Sequence, residues 1–206
     1  LGYSIKKIDY KKKIIFDKNN NSYSFNKLIL ATGSKNKSMG TVDLKNAKNV
    51  INLRNIDNSL YLRKLLSSSK NLVILGAGFI GLEVASIARS LEKKVTIIEA
   101  GNRVMTRSIS KDLSDWYIKY HIKMGVNFLF KETIISTNII NNNITSLITS
   151  NNKVINTDCL LVAIGSLPET LIAEESGLQV DNGICVNEKM QTSMDSIYAI
   201  GDCTNF

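Results

Sequence analysis

The residues best placed to do chemistry in this chain are Gly76-Ala77-Gly78-Phe79-Ile80-Gly81, a GxGxxG turn. An apolar run over residues 72–75 leads into it, and an apolar-periodic stretch predicting a helix over 80–91 leads out. The first glycine permits a tight turn off a strand. The second lets the backbone approach a pyrophosphate, and the third lets helix and strand pack closely. The helix start then offers free N–H groups and a positive dipole end to that anion. A second apolar run, 95–99, ends on Glu99, 23 residues after Gly76. A carboxylate there accepts hydrogen bonds from an adenosine ribose and repels a 2′-phosphate, which favours NAD over NADP. Arg103 and Arg107 nearby weigh the other way.

Strand, helix and strand within residues 71–99 make a βαβ unit and hence a parallel pair. Before it, residues 55–69 predict a helix with Leu60, Lys64 and Leu65 on one face and Asp57 or Asn58 as cap. After it, Ser110 caps a helix over 111–124, stopped by Gly125. Its Leu113, Trp116, Tyr117 and Tyr120 recur at helical spacing and read as core, with His121 a surface or packing residue. A strand at 126–130 and three Ile-rich stretches (133–140, 144–149 and 153–156) separated by Asn clusters predict a β-meander. Short strands are expected at 4–8, 13–16 and 23–25. LILATGS (28–34) and CLLVAIG (159–165) are apolar strands ending in small residues. Pro168 marks the turn after the latter, Asp181-Asn182-Gly183 a hairpin, and a strand over 196–200 enters Gly201-Asp202.

With 206 residues, 44% hydrophobic and 21% charged, the composition is that of a globular protein. The net charge of +8 is local: residues 1–50 hold 11 lysines against three acids, and the remainder balances at 15 each. Lysines outnumber arginines 21 to 5. The chain therefore lacks the bidentate forks that favour phosphate and base-edge recognition, and no nucleic-acid partner is expected. Cys159, Cys185 and Cys203 form no CxxC pair, and the single His121 completes no zinc set, so neither a metal site nor a structural disulfide is expected. A reducing, cytoplasmic setting follows. No apolar run approaches the ~20 residues that span a bilayer, and no membrane association is expected.

LILATGS, VILGAGFIGLEVA, VTIIEAGNRVMTR, SISKDLSDWYIKYHIKMGV, AIGSLPET and GLQVDNGICVNEKMQTS…YAIGDC form an ordered series over nearly the whole chain. In that series the sequence resembles the FAD-dependent, NADH-using ferredoxin reductases, of putidaredoxin-reductase and rubredoxin-reductase type, within the two-dinucleotide pyridine nucleotide-disulfide oxidoreductases. Apoptosis-inducing-factor-like proteins are near neighbours. The resemblance implies an α/β fold: a Rossmann-like NAD-binding domain (41–165) with parallel sheet and β-meander, inserted between two pieces (1–40 and 166–206) of a second Rossmann-like, FAD-binding domain. It implies an NAD(H) set of Gly76, Gly78, Phe79, Ile80, Gly81, Glu83, Glu99, Arg107, Ile164 and Gly165. Ile80 and Glu83 would lie beside the nicotinamide. For FAD it implies Ala31, Thr32, Gly33 and Asp202, the last on the ribityl chain. Where the family often has arginine after the ATG motif, this chain has SKNK, so Lys35 or Lys37 supplies the charge.

The implied chemistry is hydride transfer from NADH to FAD, then single electrons to a ferredoxin- or rubredoxin-like iron–sulfur protein. The flavin does the redox work, so no side chain is assigned as a catalytic acid or base and none as a metal ligand. A dithiol–disulfide reductase and a non-catalytic NADH-sensing protein are the alternatives. No second GxGxxG precedes Leu28 and only four residues follow Asp202. The chain therefore reads as an internal piece of a larger reductase, expected to bind NADH weakly and FAD poorly.

Overall fold

The computed structural model describes residues 2–40, 44 and 47–206. It divides into two compact units, Leu1–Lys35 with Ser166–Phe206, and Asn36–Gly165. The domain break read from sequence after residue 40 borders residues 41–43, which lie outside the described residues.

The first unit opens with an antiparallel sheet of β1 (Ile5–Asp9), β2 (Ile14–Asp17) and β3 (Ser22–Ser24). Asp17 organises the β2–β3 turn, accepting the N–H groups of Asn19 and Asn21, the Asn21 side-chain amide and the Tyr23 hydroxyl. The Asn21 amide, with these other donors, holds the Asp17 carboxyl below its ordinary range despite burial. Asn20 takes φ +66°, a left-handed position that Asn tolerates. Strands β4 (Leu28–Leu30) and β5 (Ser34–Asn36) follow.

The second unit runs β6 (Val50–Ile51), α1 (Ile56–Ser68), β7 (Asn71–Leu75), α2 (Phe79–Ser90), β8 (Lys94–Glu99), α3 (Lys111–Lys123) and β9 (Val126–Phe130). Then come β10 (Ile134–Ile140), β11 (Asn143–Thr149), β12 (Val154–Asn156) and β13 (Cys159–Val162). Five strands form a parallel sheet in the order β6-β13-β7-β8-β9, and β10-β11-β12 form the expected meander. The central strands are apolar at successive positions because both faces are covered. Leu72, Ile74, Ile97 and Leu161 pack against the helices, while Val73, Leu75, Ile98 and Leu160 pack against Ile134, Ile144 and Leu147 of the meander. Alternate side chains thus glue two different layers to one sheet. Asn49 fastens the meander on, giving its amide to the carbonyls of Ile144 and Asp158 and accepting the Ile144 N–H at 2.7 Å. The β10–β11 turn uses Asn141 and Asn142, both at positive φ, as a hairpin of this hand requires.

Three readings of the helices are corrected. The cap of α1 is Asn55, not Asp57 or Asn58; Asn58 is the return arm of a capping box, its side chain accepting the Asn55 N–H. The buried face of α1 is Leu62 and Leu66, whereas Leu60 is exposed, because the four-residue step that meets the sheet starts two residues later. On α3, Tyr117 alone of the expected stripe packs on the core, while Leu113, Trp116 and Tyr120 are 45%, 55% and 46% exposed. The helix lies against the edge strand β9 and turns Tyr117, Ile118 and His121 inward, so Trp116 and Tyr120 stack on each other instead, 5.4 Å apart.

His121 is 4% exposed, with Tyr120 and Phe128 edge-on to its ring and Tyr117 roughly parallel. Burial disfavours the imidazolium and lowers its pKa below the ordinary 6.5. The unfolded chain therefore protonates first as pH falls. The neutral ring's contribution is intact above about pH 6.5 and declines below it, by at most ~1.4 kcal/mol per pH unit, until the folded pKa is reached. Thermal midpoints are expected to fall from pH 7.5 to 5.5, and His121→Phe to flatten that slope. An unchanged slope in the variant would assign the acid sensitivity to other groups.

The chain returns to the first unit through β14 (Ser166–Pro168), α4 (Leu171–Glu175), β15 (Ile184–Cys185), β16 (Ile197–Ala199), a 3-10 turn (Gly201–Cys203) and β17 (Thr204–Asn205). Pro168 ends a strand paired to β5 rather than marking a turn; in a two-stranded ribbon its missing N–H leaves no ladder position unfilled. The Asp181–Gly183 hairpin is present, closed by a Val180–Ile184 bridge with Asn182 and Gly183 at positive φ. β16 and β4 run parallel, so LILATGS and YAIGDC end side by side. Among the described residues no helix is long and apolar enough to cross a membrane, and no cluster of His, Cys, Asp or Glu could hold a metal ion.

Candidate functional site

The glycine turn joins β7 to α2, and each of its glycines has a separate physical reason. Gly76 has φ +104°, and a Cβ there would lie 2.4 Å from the Ala163 carbonyl oxygen. A Cβ at Gly81 would lie 2.2 Å from the Gly76 carbonyl oxygen. Those two are fixed by packing. A Cβ at Gly78 would meet nothing within 4 Å: here the backbone borders open space. Gly78 is also the N-cap of a 12-residue helix and supplies no side-chain cap, so the first turn of α2 keeps donors for a ligand.

Glu99, at the end of β8, is tied to the same turn. One carboxylate oxygen accepts the Ala77 N–H at 2.7 Å and the other accepts the Gly101 N–H at 2.7 Å. Each oxygen retains a lone pair for a further donor. The loop after β8 closes on the turn where the Met105 N–H meets the Ala77 carbonyl at 3.0 Å, with Met105 held at φ +47°. From the sequence, Arg103 is a candidate partner for a 2′-phosphate. In the structure its guanidinium donates to the carbonyls of Thr106 and Ile109, so it braces the loop. Arg107 is exposed and reaches towards Gly165, whose φ is +96°.

Ile80 and Glu83, three residues apart on α2, share an exposed face. Ile80 joins Leu53, Arg54, Asn55, Ile56 and Ser59 in lining an open cleft of about 500 Å³. That second wall, the start of α1, was missed in the sequence. The only signal for it was the Asn55–Asn58 capping pair, which announces a helix start without showing what it faces. All the residues expected around NAD (Gly76, Gly78, Phe79, Ile80, Gly81, Glu83, Glu99, Arg107, Ile164 and Gly165) fall in one unit.

Of the residues expected around FAD, Ala31, Thr32, Gly33 and Asp202 fall in the other unit, and Lys37 does not. The parallel pairing of β4 and β16 brings the first three and Asp202 to adjoining strand ends, where Ala31, Thr32 and Asp202 are exposed. Ser34 donates its hydroxyl to Asp202 at 3.1 Å, and Lys35 forms an ion pair with Glu169 at 3.2 Å. Neither Ser34 nor Glu169 was singled out in the sequence. Lys37 donates its backbone N–H to the Gly165 carbonyl. Cys203, next to Asp202, is a buried packing residue with its thiol directed at the Leu30 and Ile200 carbonyls. Burial pushes the Cys159 thiol up to about 12, which leaves it inert.

Residues 1–206 match the pyridine nucleotide-disulphide oxidoreductase family. The chain is 36% identical over 203 residues to a rubredoxin-NAD(+) reductase of Pseudomonas putida, covering 98% of this chain and 52% of that protein. It is 31% identical over 186 residues to the putidaredoxin reductase of the same species, covering 88% and 44%. Among solved structures it superposes with a TM-score of 0.95 on the ferredoxin reductase for the CYP199A2 system of Rhodopseudomonas palustris, at 28% identity over 99% of this chain and 50% of that one. A putidaredoxin reductase in covalent complex with putidaredoxin gives the same TM-score at 28% identity, covering 98% and 50%. The chain spans about half the length of the curated relatives it matches.

Proposed function

Because the chain belongs to the pyridine nucleotide-disulphide oxidoreductase family, we propose that it is the dinucleotide-handling part of a flavin-dependent reductase that draws electrons from NADH for an iron–sulfur protein. One observation carries the reading: open space at Gly78, before an uncapped helix start, with the Glu99 carboxylate tied to the same turn. When bound, NADH would supply a hydride and FAD would accept it and release single electrons.

The chain's own residues hold and orient. The Gly78 turn and the first N–H groups of α2 take the pyrophosphate, with Phe79 and Gly81 part of that cradle. Glu99 accepts the adenosine ribose hydroxyls, and its charge turns away a 2′-phosphate. Arg103, spent on backbone carbonyls, offers that phosphate little. Ile80, with Leu53 and Ile56, gives the nicotinamide an apolar wall that excludes water; Glu83 and the Ile164–Gly165 backbone lie beside it, and Arg107, whose guanidinium reaches towards Gly165, completes the NAD(H) set. On the flavin side, Ala31, Thr32 and Gly33 line the site. Asp202, oriented by Ser34, accepts from the ribityl chain. In this reading residues 41–165 are the NAD(H) domain, and 1–40 with 166–206 belong to the FAD domain. The protein works in the cytoplasm, a setting supported by three free cysteines. Its acceptor is a ferredoxin- or rubredoxin-like protein, a class supported by the names of the relatives.

Backbone amide shifts recorded during an NADH titration test the reading. The largest changes are expected at residues 76–81, 99 and 101. Changes confined to the lysine-rich residues 11–13, or none at millimolar NADH, would rule it out.

A further inference from the structure

Glu99 is only as well placed as the backbone beneath it, and that backbone is strapped from the meander side. After β9 the chain turns sharply at Lys131, held at φ +58°, a left-handed position uncommon for a residue with a side chain. From this corner the Lys131 N–H donates to the Gly101 carbonyl at 2.9 Å, and the Glu132 N–H donates to the Glu99 carbonyl at 3.1 Å. The same Glu99–Gly101 segment is the one that Glu99 closes onto itself and onto Ala77 through its carboxylate. The corner is fixed in turn by a side chain. Glu132 is 2% exposed, and its carboxylate accepts from Lys153 at 2.7 Å. Lys153 stands at the β11–β12 turn, bonded through its backbone to Thr149 in both directions. The ion pair is asymmetric: the Glu132 side chain is 3% exposed and that of Lys153 53%. The Thr149 and Asn151 side chains also bond the Glu132 carboxylate, but Lys153 is its counter-charge, and without it the buried carboxylate moves towards water and takes the corner with it.

We propose that Glu132 and Lys153 are positioning residues for dinucleotide selection, setting the height and aim of Glu99 through the Lys131–Glu132 corner. The inference rests on the functional reading above, because it presumes that Glu99 meets the ribose. It also gives a reason for an acid to be kept buried in the seam between sheet and meander.

The 206-residue chain is titrated with NADH and NADPH as wild type and as K153M, K153R and E132Q. K153M is expected to weaken NADH about fivefold while NADPH stays within about twofold, and K153R to restore the wild-type ratio. E132Q, which keeps the shape and loses the charge, falls between them. A general loss of structure would weaken both dinucleotides equally and would not be rescued by arginine, so that pattern overturns the proposal, as does an unchanged ratio in K153M. If K153M does not fold, E132Q decides alone: a wild-type ratio there rejects the proposal and a lowered one sustains it. Wild-type chain that binds neither dinucleotide refutes the functional reading itself. Wild type that prefers NADH alongside an unaltered K153M refutes this inference alone.

Discussion

Gly78→Ala is expected to leave the chain folded and weaken NADH binding by roughly 10- to 100-fold, the worth of one charge-assisted hydrogen bond. The added methyl meets no protein atom within 4 Å, so folding has nothing to object to beyond an N-cap change of under ~1 kcal/mol. It would stand where the backbone has to approach the pyrophosphate. Gly76→Ala and Gly81→Ala should behave in the opposite way. Their methyl groups would lie 2.4 and 2.2 Å from carbonyl oxygens of the chain itself. Gly76 is also at φ +104°, which an L side chain resists. Each should cost about 3 kcal/mol or more, a fall in thermal midpoint of roughly 10 °C for a chain of this length. Melting curves and NADH titrations on the three variants separate the two roles. Gly78→Ala binding like wild type would mean that the open space holds no pyrophosphate.

Only half of that contrast is legible in the sequence. The sequence of residues 71–99 carries its fold openly, because a strand buried on both faces, a glycine turn and an amphipathic helix each leave an unambiguous pattern. The meander was equally readable, since Ile-rich stretches parted by Asn pairs specify both strands and the left-handed turn positions. The α3 stripe misled for a definite reason. Helical spacing shows that Leu113, Trp116 and Tyr120 share a face, but a helix on an edge strand is covered on one side only, and periodicity does not say which. The cap at Asn55, three residues before its partner, was likewise ambiguous among neighbouring Asn and Asp residues. The Lys131–Glu132 corner and the cleft wall at Leu53–Ser59 join residues far apart in the chain, so no local pattern announces them. The two-residue strand β6 escaped notice because its partner, β13, lies more than a hundred residues away.

Glu99 carries the second large effect. Its carboxylate has one lone-pair site on each oxygen left after Ala77 and Gly101 are served, and two ribose hydroxyls match them. Hydrogen bonds to a charged acceptor contribute roughly 1.5–3 kcal/mol, so Glu99→Ala should weaken NADH about 10- to 100-fold. NADPH, which already meets repulsion at this carboxylate, should bind the variant as well as or better than it binds wild type. Glu99→Gln isolates the charge, keeping an acceptor oxygen while relieving the repulsion. Part of the loss in the alanine variant comes from freeing the Ala77 and Gly101 N–H groups, and that part weakens both dinucleotides alike. The ratio therefore reports the ribose contact more cleanly than either affinity. The decisive measurement is the NADPH-to-NADH ratio of dissociation constants for wild type and Glu99→Ala in one buffer. Wild type is predicted to favour NADH by about tenfold or more, with the preference collapsing to within about threefold in the variant. A wild-type chain that binds the two equally, or a variant with its preference intact, would contradict the assignment of Glu99 and the dinucleotide site built around it.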